Sequence, residues 1–293
     1  MPLNEARRLT GSGGRGQVRC AKIPPGFAPQ FQPHPPMTDT TPLSPLSFAL
    51  LFAAGLAAGC VDAIAGGGGL ITVPALLAVG VPPHATLGTN KLQSACGTVI
   101  ALWRYAKAGM AGTPFLWLAV VTATLASIGG TYAVSVMDKE VLRRVIPWLL
   151  AAVAIYTACN RSFGIHPEKP RLSFAAFAVL LGCVLGFYDG FFGPGTGSFW
   201  ILALVVLLGL DLRNSTGYAK ATNLASNLGS LAVFLTMGSV HLMAAGVMIA
   251  GQVFGARLGS GLVIRNGARL IRPVFLAVVF AMTLKLLWDA WGR

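Results

Sequence analysis

From residue 44 onward the chain is a succession of apolar runs separated by short polar stretches. Most of the runs are about 20 residues long, the length a helix needs to cross the hydrocarbon core of a bilayer. The pattern predicts spans at roughly 45–65, 85–107, 113–136, 140–159, 172–191, 214–237, 241–264 and 268–290. Two further apolar runs, 70–80 and 198–210, are too short to cross, at about 1.5 Å per helical residue. Each follows a glycine cluster and reads as a half-helix lying partly in the membrane. The expected fold is therefore an all-α integral membrane protein with about eight transmembrane helices and two short half-helices.

The pattern is written twice. Gly59-Cys60-Val61-Asp62-Ala63-Ile64-Ala65-Gly66-Gly67-Gly68-Gly69 returns as Gly186-Phe187-Tyr188-Asp189-Gly190-Phe191-Phe192-Gly193-Pro194-Gly195. Asp62 and Asp189, Gly66 and Gly193, and Gly68 and Gly195 share an offset of 127 residues. Lys91 and Gly109 match Lys220 and Gly238 at 129, and Gly129, Arg143 and Pro147 match Gly255, Arg269 and Pro273 at 126. Two homologous repeats follow, 44–160 and 172–293, joined by a linker loop at 161–171. A carboxylate beside broken backbone is costly in lipid unless it lines a protected cavity, and duplicating it is the habit of transporters built from two halves.

Loop charge bears on how the repeats are oriented. If each half-helix re-enters without crossing, the repeats are parallel and the charges divide almost evenly. If each effectively completes a crossing, the repeats are inverted. In that case Arg104, Lys107, Arg161, Lys169, Arg171, Arg213, Arg265, Arg269 and Arg272 share one face. The positive-inside rule prefers this inverted arrangement, with both termini outside.

Composition agrees with the pattern: 55% of residues are hydrophobic and 11% charged, against about a quarter charged in soluble domains. The net charge of +13 sits mostly outside the apolar runs, as expected of a multi-pass inner-membrane protein and not of a nucleic-acid binder. Cys20, Cys60, Cys96, Cys159 and Cys183 show no CxxC pairing and read as small packing residues. Residues 1–43 are basic and rich in proline and glycine, with no apolar h-region. They read as a mis-assigned start, Met37 offering an ordinary one, or as a disordered tail.

The glycine clusters, with the helix N-termini that follow, offer close backbone approach, free N–H groups and a positive dipole end, the elements of an anion site. Gly66, Gly67, Gly68, Gly193 and Gly195 are the candidates; the alternative is that they only let helices pack closely. Asp62 and Asp189 each lie near a helix C-terminus, where the dipole disfavours negative charge. An ionised carboxylate there needs donors, cations or water, and otherwise holds a proton. Gating or proton coupling is one reading; a structural carboxylate bonded to its own glycine turn is the other.

Lys91 lies in Thr89-Asn90-Lys91-Leu92-Gln93-Ser94, and Lys220 in Lys220-Ala221-Thr222-Asn223-Leu224-Ala225-Ser226-Asn227. Lys91, Ser94 and Thr98 share a helical face, as do Lys220, Asn223 and Asn227. Such a face would be expensive in lipid and should point inward. A cation ringed by amide and hydroxyl groups suits a small oxyanion, so Lys91, Lys220, Asn90, Gln93, Ser94, Asn223 and Asn227 are the substrate-binding candidates. Arg257 lacks a counterpart in the first repeat and reads as snorkelling to the interface or pairing with a loop acid. Paired catalytic carboxylates, a nucleophile elbow, metal-ligand spacing and a Walker A sequence are all missing, so neither an enzyme nor a cofactor or metal is expected.

These residues together resemble the TauE/SafE family of sulfite exporters, most closely its YfcA-like branch of bacterial inner-membrane proteins. The resemblance runs from about 45 to 290 and is carried by Asp62 to Gly69, Ala85 to Gln93, Gly186 to Pro194, Lys220 to Asn227 and Gly251 to Gly259. It implies an eight-span, two-repeat membrane protein moving small sulfur-containing anions such as sulfite or organosulfonates outward. The second glycine cluster departs from the first, with Pro194 and Thr196 in place of two glycines. Pro194 has no N–H to donate, so the two half-sites are not expected to hold an anion identically. The expected partners are a small anionic substrate and the bilayer, with a homodimer left open. An anion channel and a non-transporting membrane partner protein are the alternatives.

Overall fold

The computed structural model describes residues 43–110, 112, 116–137 and 169–267, together with 269–270, 273–274 and 277. The predicted span 140–159, most of 268–290 and residues 1–42 lie outside the described residues. Within them, α1 is Pro45–Ala65, α2 Gly69–Ala78, α3 Pro83–Lys107, α4 Leu116–Ser135, α5 Phe174–Phe191, α6 Thr196–Leu208, α7 Leu212–Thr236 and α8 Leu242–Asn266. The described elements are all helical, and two short helices stand where two short apolar runs were predicted.

Several helix starts carry their own stop signs. Ser44 accepts from Ser47 N at 3.1 Å with Pro45 at the first helical position, Ser173 accepts from Ala176 N, and Asp211 accepts from Asn214 N at 2.9 Å. α1 stops at Gly66, which takes the left-handed conformation (φ 80°) that a side chain would oppose.

α1, α4, α5 and α8 are long and apolar enough to cross a membrane. Their outer faces expose large apolar side chains, Trp117, Leu125 and Leu258 among them, as lipid contact requires and water would penalise. α3 and α7 are as long as α8 but polar along most of one side. That side is turned inward, burying Thr86, Thr89, Asn90, Lys91, Gln93 and Thr98 on α3 and Ser215, Lys220, Thr222, Asn223, Ser226 and Asn227 on α7. Apolar helices thus shield two polar ones from lipid.

Small residues let the helices approach at backbone distance. A Cβ added at Gly55 would stand 2.5 Å from Met248 O, and one at Gly59 2.3 Å from Gln252 O, so α1 and α8 run side by side in the same direction. A Cβ at Gly186 would meet Ala123 O at 2.6 Å and one at Gly190 Ser127 O at 1.9 Å, which lays α5 along α4, also in the same direction. Two clusters fix the ends of the bundle. Ala63, Tyr105, Ala119, Phe177, Leu208, Tyr218 and Val263 gather the ends of α1, α3, α6 and α8 with the starts of α4, α5 and α7. Leu51, Leu76, Ala85 and Ala244 gather the starts of α1, α3 and α8 with the end of α2. So α1, α3 and α8 point one way and α4, α5 and α7 the other, and the α1–α2 and α5–α6 hairpins enter from opposite ends.

The first cluster also marks a basic end. Arg104 and Lys107 close α3, Arg213 opens α7 and Arg265 closes α8, while Arg171 N donates to Leu207 O at the end of α6.

Candidate functional site

Each hairpin ends its first helix on a carboxylate, and each carboxylate meets the lysine from the opposite half of the sequence. Lys91 Nζ lies 2.7 Å from Asp189 Oδ1, and Lys220 Nζ lies 2.8 Å from Asp62 Oδ2. Each ammonium also donates to the main-chain carbonyl of the same aspartate. The physical reason is local. A helix C-terminus presents outward-pointing carbonyls and the negative end of the dipole, and the carboxylate adds a full charge there. A lysine satisfies both. All four side chains are buried, Asp62 at 6% exposure, Asp189 and Lys91 at 1% and Lys220 at 0%. Unpaired, any of them would be prohibitive inside apolar surroundings; paired and hydrogen-bonded, they are tolerable. Lys91 and Lys220 each sit eight residues into a 25-residue helix, so the two pairs lie about 12 Å in from opposite ends of the bundle.

The glycines make room for this crossing. At Gly193 (φ 93°) an added Cβ would stand 2.8 Å from Lys91 Nζ, so the missing side chain admits the ammonium. Gly66 packs instead on the other hairpin, where its Cβ would lie 2.3 Å from Gly197 C. Ser198 Oγ donates to Ala65 O at 2.7 Å across the same contact, and Gly69 faces Pro194. Gly68 packs over Asp62, and Gly195 in the left-handed region opens α6. Gly67 carries the first acceptor of α2, its carbonyl receiving Leu70 N. The two hairpin tips therefore touch each other at mid-bundle.

Around the pairs lies the amide and hydroxyl set that the sequence pointed to. Asn90 Oδ1 accepts from Thr72 Oγ1 at 2.6 Å and from Gln93 Nε2 at 3.0 Å, and Gln93 Nε2 also donates to Ser94 Oγ. Asn227 Nδ2 donates to Asn223 Oδ1 at 3.2 Å. All five, Asn90, Gln93, Ser94, Asn223 and Asn227, are buried, as the inward-face argument requires. Arg257 is exposed on α8 and stays outside this group.

Sequence reasoning treated the lysines and aspartates as separate candidates. The structure makes them two crossed pairs, so an anion approaching either lysine must compete with a carboxylate already in place. Ser226, which hydrogen-bonds Asp189, was not singled out as a candidate, nor was Tyr105, whose hydroxyl donates to Ala63 O at 2.7 Å; Thr196 was noted only as a departure from the glycine pattern, not as a partner of Asp189. Charge balance was the available signal: two buried lysines and two buried aspartates in apolar segments must neutralise one another.

The comparisons with known proteins bear on this bundle as a whole. The profile of the family described as Sulfite exporter TauE/SafE matches residues 51–286. The chain belongs to the TauE/SafE family. Among curated relatives, a probable membrane transporter protein of Haemophilus influenzae is 42% identical over 241 residues, covering 82% of this chain and 94% of that one. The probable membrane transporter protein YfcA of Escherichia coli K12 is 39% identical over 251 residues, 86% of this chain and 93% of the relative. A more distant member, YjnA of Bacillus subtilis, is 23% identical over 248 residues. No solved structure matches the chain. A multi-pass membrane protein of a transporter family is thus the identity of this chain, and all the candidate residues fall inside the matched segment.

Proposed function

We propose that the protein is a secondary transporter for small oxyanions, sulfur-containing ones such as sulfite or sulfonates foremost, built from two inverted repeats in the bacterial inner membrane. The observation that carries this reading is the pair of buried lysines held at the tips of two oppositely directed hairpins, among amide and hydroxyl side chains. An inward-facing cation with such neighbours matches the charge and hydrogen-bond demand of a small oxyanion. It would have no use in a protein that only spans the membrane. Lys91 and Lys220 supply the charge, and Asn90, Gln93, Ser94, Asn223 and Asn227 supply hydrogen bonds. Asp62 and Asp189 act as gates or proton carriers that hold the lysines when no anion is bound. The basic end faces the cytoplasm under the positive-inside rule.

The sulfur-containing cargo rests on the family description. The experiment that tests it is a solid-supported-membrane screen of purified protein in liposomes over sulfite, sulfate, thiosulfate, sulfoacetate and small carboxylates, with and without a pH gradient. Saturable currents with a sulfur oxyanion are expected. Non-saturating conductance would establish a channel instead, and silence across all of these anions would remove the transport reading.

A further inference from the structure

The two crossed pairs are built differently, and the difference follows the repeat. Asp189 receives three side-chain donors: Lys91 Nζ at 2.7 Å, Thr196 Oγ1 at 3.0 Å and Ser226 Oγ on its other oxygen. Asp62 receives one side-chain donor among the described residues, Lys220 Nζ. The offset of 127 that aligns Asp62 with Asp189 aligns Gly69 with Thr196, and the offset of 129 that aligns Lys91 with Lys220 aligns Gly97 with Ser226. Both hydroxyls that secure Asp189 are therefore glycines in the other half. The space at Gly97 is taken by Gln252 of α8: a Cβ there would stand 2.4 Å from Gln252 Cγ and 2.7 Å from its Nε2. Gln252 is wholly buried, and both its amide atoms are without a hydrogen-bond partner in the described structure.

We propose that, of the two carboxylates, Asp62 is the proton-binding site of the transport cycle, and that Asp189 serves as the gate that holds Lys91. The inference rests on the anion-transport reading for its purpose, but its geometry stands apart from it. Protonation would weaken three bonds to an ionised acceptor at Asp189 and one side-chain bond at Asp62. When Asp62 takes a proton the carboxylate becomes a neutral acid, and Lys220 keeps its own protons and its charge. The ammonium is then unneutralised in a buried place, and a single-charge anion restores the balance. One proton and one anion thus enter together, each raising the affinity for the other. The Gln252 amide, without a partner among the described residues, packs against Gly97 of α3 and is the further donor we assign to that anion. A metal cation is disfavoured as the coupling ion, because it would sit at hydrogen-bonding range from an ammonium.

The groups facing Asp62 are few. Among the described residues, the titratable ones are Lys220 from α7 and Tyr105 from α3, whose hydroxyl donates to the neighbouring Ala63 O. Among the described residues, those of α2, α6 and α8 seen against this end of α1 include Gly68, Gly197, Ser198, Gln252 and Gly259, none of them ionisable. Lys220 is therefore the group whose freedom changes when Asp62 changes charge.

The test is infrared difference spectroscopy of the full chain in liposomes, stepping the pH downward, with Asp62→Asn, Asp189→Asn and the Gly97→Ser/Gln252→Ala double variant beside the wild type. The expected result is a protonated-carboxyl band in the wild type that is lost in Asp62→Asn and kept in Asp189→Asn. The double variant, which supplies Asp62 with the missing hydroxyl, should show the band only at lower pH. A band lost in Asp189→Asn but kept in Asp62→Asn overturns the proposal. So does a wild type without a band over the range where it stays folded, or suppression of the band by sodium ions. No substrate is needed for this readout. A parallel arm adds sulfite and follows internal pH with a trapped dye; a band at Asp62 with no sulfite-driven proton movement would leave the proton site standing and remove the anion reading.

Discussion

The Lys91–Asp189 and Lys220–Asp62 pairs have the same chemistry, the same position relative to their hairpins and nearly the same length, yet they differ in what surrounds them. One aspartate is enclosed by a lysine, a threonine and a serine. The other has its lysine and, at the two aligned positions, glycines, one of which packs against a glutamine without a partner among the described residues. The pairs also lie toward opposite ends of the bundle, the enclosed one away from the basic end and the open one toward it. The duplicated motif thus provides two similar ion pairs with unequal hydrogen bonding. In the transport cycle proposed above, that inequality would give the two closures a preferred order of opening.

The largest effect that would sharpen the comparison is removal of one lysine. Lys91→Ala or Lys220→Ala strands a buried carboxylate and should cost about 3–5 kcal/mol of stability. Thermal unfolding in detergent micelles at neutral pH measures it. The paired replacements Lys91→Met/Asp189→Leu and Lys220→Met/Asp62→Leu should recover most of that loss, because they remove both charges together. Recovery in neither pair would mean that the ion pairs are not the partners seen here.

Next in size is Ser226→Ala, which takes a donor from Asp189 and should destabilise by about 1–3 kcal/mol. Among the described residues no comparable hydroxyl bonds Asp62, so Gly97→Ala should act through contact with Gln252, and combining it with Gln252→Ala should remove its effect. Equal sensitivity of the two halves to hydroxyl removal would break the asymmetry.

These differences mark where the sequence could be read and where it could not. α1, α5 and α8 were legible in position and length because lipid exposure demands unbroken apolar runs. The inward faces of α3 and α7 were legible because lysine and asparagine cannot face lipid. The crossing was not. Lys91 and Asp189 are 98 positions apart and Lys220 and Asp62 158, and a symmetric sequence allows pairing within a half as readily as between halves. Only the packing of the hairpin tips, Gly66 on Gly197 and Gly69 on Pro194, decides it. Thr196 stood out as a departure from the first glycine cluster, but its meaning depends on its reach to Asp189. Gln252 gave no signal, since one glutamine in an apolar helix has no counterpart to compare.

Smaller effects complete the series. Gln252→Leu removes a buried amide without a partner and should leave stability unchanged or raise it by about 1 kcal/mol, while slowing anion transport. A large loss of stability would show that the amide is held by the fold. Arg257→Ala, exposed on α8, should change stability by no more than about 0.5 kcal/mol and leave transport intact.

The measurement that bears most directly on the account is sulfite flux into proteoliposomes for the wild type, Lys91→Gln and Lys220→Gln, each shown to remain folded by its thermal melt. Both variants should lose flux by about tenfold or more, equivalent to at least about 1.4 kcal/mol of lost interaction, because each removes a cation that must alternate between aspartate and anion. Wild-type flux in both folded variants would contradict the account.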